Sequence, residues 1–260
     1  MSELLRTEHL SIQFGGLKAV SDVSFTVKAG QTFGIIGPNG AGKTTLFNMC
    51  SGIYRPTSGD VYLSGEKITG LRPEQICKRG LARTFQMTQL FSYMSVLENV
   101  KVGCHQKTGT GLADAIVHSG RYRRDEEYAR EKSMEIIRKV GLAKYADTMA
   151  GNLAYGIQRR VEIARALATE PKILLLDEPA AGMNPNETAD LMEFVQQLHG
   201  EKQTVLLIEH DMKFVMNCCE QILVLNFGQC ICEGTPEKVR NDEGVQKAYF
   251  GTGMVTKGGI

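Results

Sequence analysis

The chain has no excess of charge of either sign, no long apolar run and no ordered framework of cysteines. Each absence removes a class of function. Lysine and arginine number 30 and aspartate and glutamate 29, a formal net charge of +1, so composition offers no electrostatic footprint for nucleic acid. The longest apolar runs are a handful of residues, well short of the roughly 20 that a membrane-crossing helix takes. Any role at a membrane is therefore expected to come through a partner. Residues 1–10 mix Glu3, Arg6, Glu8 and His9 with leucines and lack the apolar centre of a secretory leader. The seven cysteines show neither zinc-ribbon nor disulfide spacing. Cys218-Cys219 and Cys230-Ile231-Cys232 read as small hydrophobes of a reducing compartment. Also missing is the Asn-Lys-x-Asp with which a GTPase reads guanine.

What is present is more telling. With 260 residues and 42% hydrophobic content, the chain can bury one large α/β core. Gly37-Pro38-Asn39-Gly40-Ala41-Gly42-Lys43-Thr44-Thr45 fits the phosphate-binding loop G-x-x-x-x-G-K-[ST]. Residues 32–36 ahead of it are apolar like a buried strand, and residues 45–50 behind it have helical character. Glycines let successive N–H groups curl around phosphate oxygens, and the positive end of the following helix adds to that field. Lys43 can then reach the β- and γ-phosphates of a nucleotide, and the Thr44 hydroxyl can ligate Mg²⁺.

Around this loop the pattern is antiparallel β before and helical after. Residues 10–14 and 23–27 alternate at period two, and residues 61–63 run into the tight turn Ser64-Gly65-Glu66-Lys67. From about residue 87 to 158 the pattern is helical. Residues 125–140 form an amphipathic helix, 121–127 its solvated charged start, and 108–111 a loop. The continuous apolar runs 173–176 and 205–208 suit strands of a parallel sheet covered on both faces, and 222–225 a further strand. The last residues, 257–260, are expected to fray.

The run 173–176 ends in Asp177-Glu178. Downstream of a phosphate loop, an aspartate there can hold Mg²⁺, and the next carboxylate can polarise a water for in-line attack on the γ-phosphate. Leu153-Ala154-Tyr155-Gly156-Ile157-Gln158 then opens a helix. At this point the chain resembles the ATP-binding cassette (ABC) family over roughly residues 4–249. The segment 153–158 resembles its LSGGQ signature. Gln86 in Arg83-Thr84-Phe85-Gln86 matches the Q-loop, Asp177-Glu178-Pro179 the Walker B segment, Ala181-Gly182-Met183-Asn184 the D-loop and Ile208-Glu209-His210-Asp211 the switch-histidine segment.

The resemblance implies an α/β fold: a P-loop NTPase (RecA-like) core with an N-terminal antiparallel β subdomain and an inserted α-helical subdomain. Residues 4–250 would be one cassette, with 4–86 and 159–240 as catalytic core and 87–158 as helical subdomain; 241–260 would be a C-terminal helix and frayed tail. It implies an ATPase with Glu178 and His210 as catalytic residues. Phe14 would stack on adenine, and Val20, residues 37–45 and Gln86 would complete the nucleotide site. Thr44, Gln86 and Asp177 would hold Mg²⁺. Leu153, Ala154, Tyr155, Gly156 and Gln158 would face the nucleotide of a second subunit, beside the D-loop residues Ala181, Gly182 and Asn184. Ala154 replaces the signature serine, Ile157 a polar residue, and Asn184 the frequent aspartate.

Phe14-Gly15-Gly16-Leu17-Lys18-Ala19-Val20, Asn152-Leu153-Ala154-Tyr155-Gly156 and Glu178-Pro179-Ala180-Ala181-Gly182-Met183-Asn184-Pro185 resemble, more narrowly, the LivG-type branch. That branch energises bacterial uptake of branched-chain amino acids, and its relatives carry urea, short amides or other amino acids; no residue of the chain chooses among these solutes. The resemblance implies a second cassette (a copy of this chain or a LivF-like one), two integral membrane permeases, a periplasmic or surface solute-binding protein, no nucleic acid, and a place on the inner face of the cell membrane. A lipopolysaccharide-exporter ATPase and a non-transport cassette are the alternatives.

Overall fold

Alternating burial along the first strands builds the outer layer of the protein, here described from a computed structural model over residues 2–86, 89–105, 114 and 119–250. In β1 (Glu3–Phe14) and β2 (Leu17–Lys28), Leu5, Leu10, Ile12, Val20, Val23, Phe25 and Val27 all turn inward. These strands pair antiparallel, and β4 (Ser58–Leu63) and β5 (Glu66–Lys67) extend the sheet in the order β2-β1-β4-β5. The β4–β5 turn places both Ser64 and Gly65 at positive φ, the geometry of a two-residue hairpin.

The second sheet has six strands in the order β10-β9-β3-β8-β7-β6. They are β10 (Gln229–Gly234), β9 (Gln221–Asn226), β3 (Thr32–Ile36), β8 (Thr204–Ile208), β7 (Ile173–Asp177) and β6 (Leu81–Arg83). Neighbours are parallel except the edge pair β9–β10. Every residue of β3, β7 and β8 is buried, because both faces are covered. Period-two geometry sorts their side chains into two cores. Ile173, Leu175, Leu206, Ile208, Leu223 and Leu225 face the antiparallel sheet and α1 (Lys43–Cys50). Leu174, Leu176, Val205, Leu207, Ile222 and Val224 face the helices of the other layer.

That layer holds α3 (Val96–Cys104), α4 (Gly120–Lys139), α5 (Tyr155–Leu167), α6 (Pro185–Gly200) and α7 (Met212–Cys218); α2 (Pro73–Lys78) precedes β6. Val96, Val100, Ile136, Ile137, Val161 and Ala164 belong to one continuous apolar cluster with the sheet. The helical region is thus welded to the core. Helix α4 begins one residue before the charged start expected at 121–127, because Ser119 caps it by accepting from the Tyr122 amide. Helix α5 runs unbroken through the subdomain boundary placed between 158 and 159. The chain ends in α8 (Pro236–Asn241) and α9 (Glu243–Phe250). The expected loop at 108–111, the residue at which the helical region was placed to begin (87), and the fraying at 257–260 lie outside the described residues.

Candidate nucleotide site

The C-terminal ends of β3, β8, β7 and β6, four consecutive parallel strands, carry four different motifs to one edge of the sheet. This is the edge at which open α/β sheets bind ligands. From β3 the chain enters the phosphate loop, whose shape rests on two glycines. A Cβ on Gly37 (φ 152°) would stand 2.2 Å from the Leu225 carbonyl oxygen, and one on Gly42 (φ 99°) 2.5 Å from that of Ala19. No larger residue fits either place. Gly42 is also the N-cap of α1, with no side chain capping the helix, so the first amides of α1 keep their hydrogen-bonding capacity for a ligand.

Lys43 folds back over the loop and donates Nζ–H to the carbonyls of Gly37 at 2.7 Å and Pro38 at 3.1 Å. Burial lowers its pKa from the ordinary lysine value, and the Glu178 carboxylate opposes that shift. Above the loop opens a cavity of about 480 Å³ lined by Phe14, Leu17, Lys18 and Ala19, by Asn39, Gly40, Ala41, Gly42, Lys43, Thr44 and Thr45, and by Glu178 and Phe227. Its size falls within the usual range of small-molecule sites. Phe14 stands at its rim, half exposed, edge-on to Tyr54 with ring centroids 5.4 Å apart. Val20 is fully buried and supports Gly42 from below without lining the cavity, and Gly37 and Pro38 contribute carbonyls to Lys43 instead of wall.

Strands β7 and β8 end side by side, Asp177 opposite Ile208. Asp177 is buried, and its Oδ2 accepts from Arg83 at 2.6 Å while its Oδ1 is buried without a hydrogen-bond partner among the described residues. Glu178 turns out of the strand in a left-handed backbone conformation (φ 44°), which costs a non-glycine residue on the order of 1–3 kcal/mol. Its carboxylate accepts from the Gln86 amide at 3.1 Å. Glu178 and Gln86 are thereby brought together from β7 and β6. His210, at the end of β8, is largely exposed and outside the cavity lining.

The signature residues lie apart from this cavity. Ala154 is the N-cap of α5 and offers no side-chain cap. Tyr155 is half exposed beside Gly182, Gln158 bonds back to the Leu153 carbonyl, and Gly156 faces Glu187, whose Oε1 a Cβ there would approach to 2.7 Å. Asn184 caps α6, accepting from the amides of Asn186 and Glu187, a task aspartate performs equally well.

Comparison with known proteins agrees with this architecture. Residues 20–181 match the family profile described as ABC transporter. The chain belongs to the ABC transporter ATP-binding cassette family. The C-terminal part of this cassette, residues 229–254, matches a second profile, described as branched-chain amino acid ATP-binding cassette transporter. The cassette is 45% identical over 249 residues to the high-affinity branched-chain amino acid transport ATP-binding protein LivG of Salmonella typhimurium, covering 95% of this chain and 98% of that one. It is 46% identical, with the same coverage, to BraF of Pseudomonas aeruginosa, which carries the same description. The solved structure of the ADP conformation of MJ1267, an ATP-binding cassette of an ABC transporter, superposes with a TM-score of 0.84 at 36% identity, covering 96% of this chain and all of that one.

Four further residues of the cassette's site have no role that the sequence motifs assign. Arg83 pins Asp177 and also donates to Asn48 Oδ1 and Ser51 Oγ of α1, both at 2.7 Å. Glu209 is fully buried; it accepts from the amides of Ala180 at 2.7 Å and His210 at 3.2 Å, joining the segment after Glu178 to the switch histidine. Burial pushes its pKa above the carboxylate norm, and those amides oppose the shift. Arg159 and Glu162 lie buried on α5. Their signal was available: charged residues three apart on the same helix face as the apolar Ile163 and Ala166.

Proposed function

We propose that this chain is the ATP-hydrolysing subunit of an importer for branched-chain amino acids, working head to tail with a second cassette beneath two membrane permeases. One observation carries the enzymatic half: a single cavity joins Lys43, Thr44 and Glu178 over a loop that only glycine can form at two positions. The transport half is supported by the likeness to LivG and BraF over nearly their whole length and by the match at residues 229–254. The exporter alternative rests on a lower likeness, 35% identity to the lipopolysaccharide export system ATP-binding protein LptB of Haemophilus influenzae, against 45–46% for LivG and BraF. Among the described residues no helix is long and apolar enough to cross a membrane, which suits a subunit held at the inner face by its permeases.

In this reading adenine rests on Phe14, the phosphates lie in the loop against the amides of α1, and Lys43 turns from the Gly37 and Pro38 carbonyls to the β- and γ-phosphates. Mg²⁺ would be held by Thr44, Gln86 and Asp177, and the buried, partnerless Oδ1 of Asp177 fits a cation, since an orphaned buried acceptor otherwise costs about 1–3 kcal/mol. Bound there, the ion would neutralise charge on the phosphate oxygens. Glu178 accepts the proton of the attacking water as general base, and His210 orients that water and the γ-phosphate. The uncapped end of α5, with Ala154, Tyr155 and Gly156, addresses the partner's nucleotide through backbone amides. ATP thus supplies contacts between subunits that ADP cannot, and hydrolysis releases them.

The test is genetic. A cell lacking this chain is expected to lose high-affinity uptake of labelled leucine, isoleucine and valine. Wild-type chain should restore it. Normal uptake in the deletion strain would refute the transport assignment.

A further inference from the structure

Three segments that sequence separates meet at one buried ion pair. Arg159 and Glu162 of α5 are each 1% exposed, and Arg159 Nη1 donates to Glu162 Oε2 at 2.6 Å. Among the described residues, the other hydrogen bonds of the guanidinium are all to backbone. Nη1 also donates to the Phe85 carbonyl, and Nη2 to the carbonyls of Asp177 at 2.8 Å and Glu178 at 3.0 Å. Glu162 completes the clamp by accepting from the Phe85 amide at 3.1 Å through Oε1. Phe85 is thus held by both its amide and its carbonyl, and Gln86 follows directly. Glu178 is held at its carbonyl by Arg159 and by the Ala181 amide at 3.1 Å, and at its own amide by the Ile208 carbonyl at 3.0 Å. This is the residue that sits in the strained left-handed conformation.

We propose that the Arg159–Glu162 pair is the positioning element of hydrolysis. It holds the Glu178 backbone in its left-handed turn and Gln86 beside it, and so ties the signature helix to the hydrolytic carboxylate of the same chain. Neither residue touches the nucleotide cavity; the pair acts through Glu178 and Gln86. A buried ion pair is weak evidence for stability, because desolvation offsets most of the attraction. The guanidinium serves four acceptors from two nitrogens, Nη1 to Phe85 and Glu162 and Nη2 to Asp177 and Glu178, which a single ammonium with three donors cannot satisfy together. Because α5 opens with Tyr155 and Gly156, the guanidinium also links the surface offered to a second subunit's nucleotide with the carboxylate acting on this subunit's own. The inference rests on the reading of Glu178 as the general base.

The test uses the full chain and two variants. The double variant Arg159→Met/Glu162→Leu removes both charges together and orphans neither; Arg159→Lys keeps the charge and loses the fork. ATP binding is followed with a fluorescent ATP analogue, and kcat and KM by phosphate release. Both variants are expected to bind nucleotide within about twofold of wild type, since the phosphate loop is untouched. Turnover should fall on the order of tenfold or more in the double variant, with Arg159→Lys in between. A kcat loss without a matching change in binding is the signature of positioning. Wild-type kcat in Arg159→Lys, or kcat and affinity falling in step, would overturn the proposal; if the double variant does not fold, Arg159→Lys alone decides it. A wild-type chain that binds ATP without hydrolysing it would bring down the enzymatic reading together with this one, whereas an active wild type with unaffected variants sinks the positioning role alone.

Discussion

Two helix N-termini in this molecule, those of α1 and α5, lack a side-chain cap and are built in opposite ways. At α1 the N-cap is Gly42 in a left-handed conformation, a lysine follows at once, and a cavity of about 480 Å³ stands ready above the loop. At α5 the N-cap is Ala154 in an extended conformation, a half-exposed tyrosine follows, and its residues line none of that cavity. Both lack a side-chain cap. A helix end ordinarily finds a serine, threonine, aspartate or asparagine to satisfy its first amides, as α6 does with Asn184 and α3 with Ser95. Leaving α1 and α5 uncapped preserves donors for something outside the chain. The difference is that α1 is furnished with walls and a cation, whereas α5 has only amides.

The largest expected effect breaks the α1 side alone. Glu178→Gln should lower ATP turnover by on the order of 10²-fold or more while leaving binding intact, and in gel filtration with ATP it should accumulate a dimer. Near-normal phosphate release would remove Glu178 as the base. Lys43→Met comes next. Losing charge-assisted contacts worth about 1.5–3 kcal/mol should weaken ATP binding roughly ten- to hundredfold, read by titration calorimetry.

The same lysine predicts a pH dependence. Burial depresses its pKa in the nucleotide-free chain, and bound phosphates would raise it. Binding therefore takes up a proton once pH exceeds the free-state value. ATP affinity should be full below that depressed value and decline as pH rises through it toward the higher value of the bound state. Lys43→Met should flatten the profile; an unchanged profile would assign the titration elsewhere. The smallest effect sharpens the comparison at α5. Ala154→Ser supplies the missing cap and should add about 1 kcal/mol, raising the unfolding midpoint without nucleotide by roughly 2–4 °C. No gain would mean that the first amides of α5 are already satisfied.

Much of this was legible before any fold was known. The phosphate loop is local chemistry, since its glycines, lysine and threonine are adjacent in the chain. The apolar runs ending at Asp177 and Ile208 announce buried parallel strands because a strand covered on both faces has no polar side. The charged start of α4 at 121–127 is equally legible, and the serine that caps it lies just before the run. Val20, which the resemblance implies for the nucleotide site, faces inward and lines none of the cavity, and only packing shows that.

By itself, then, the order of residues determined which groups could meet phosphate, which strands would be buried and that one helix would begin without a cap, because those properties follow from nearest neighbours and from period. Tertiary structure alone decided that Arg83 would hold Asp177, that Glu209 would join Ala180 to His210, and that Arg159 and Glu162 would grip Phe85, Asp177 and Glu178 together. Those contacts close only when β6, β7 and β8 lie side by side with α5 beneath them. A charged residue inside an apolar helix face reveals that it must have a partner, and the folded backbone reveals which one.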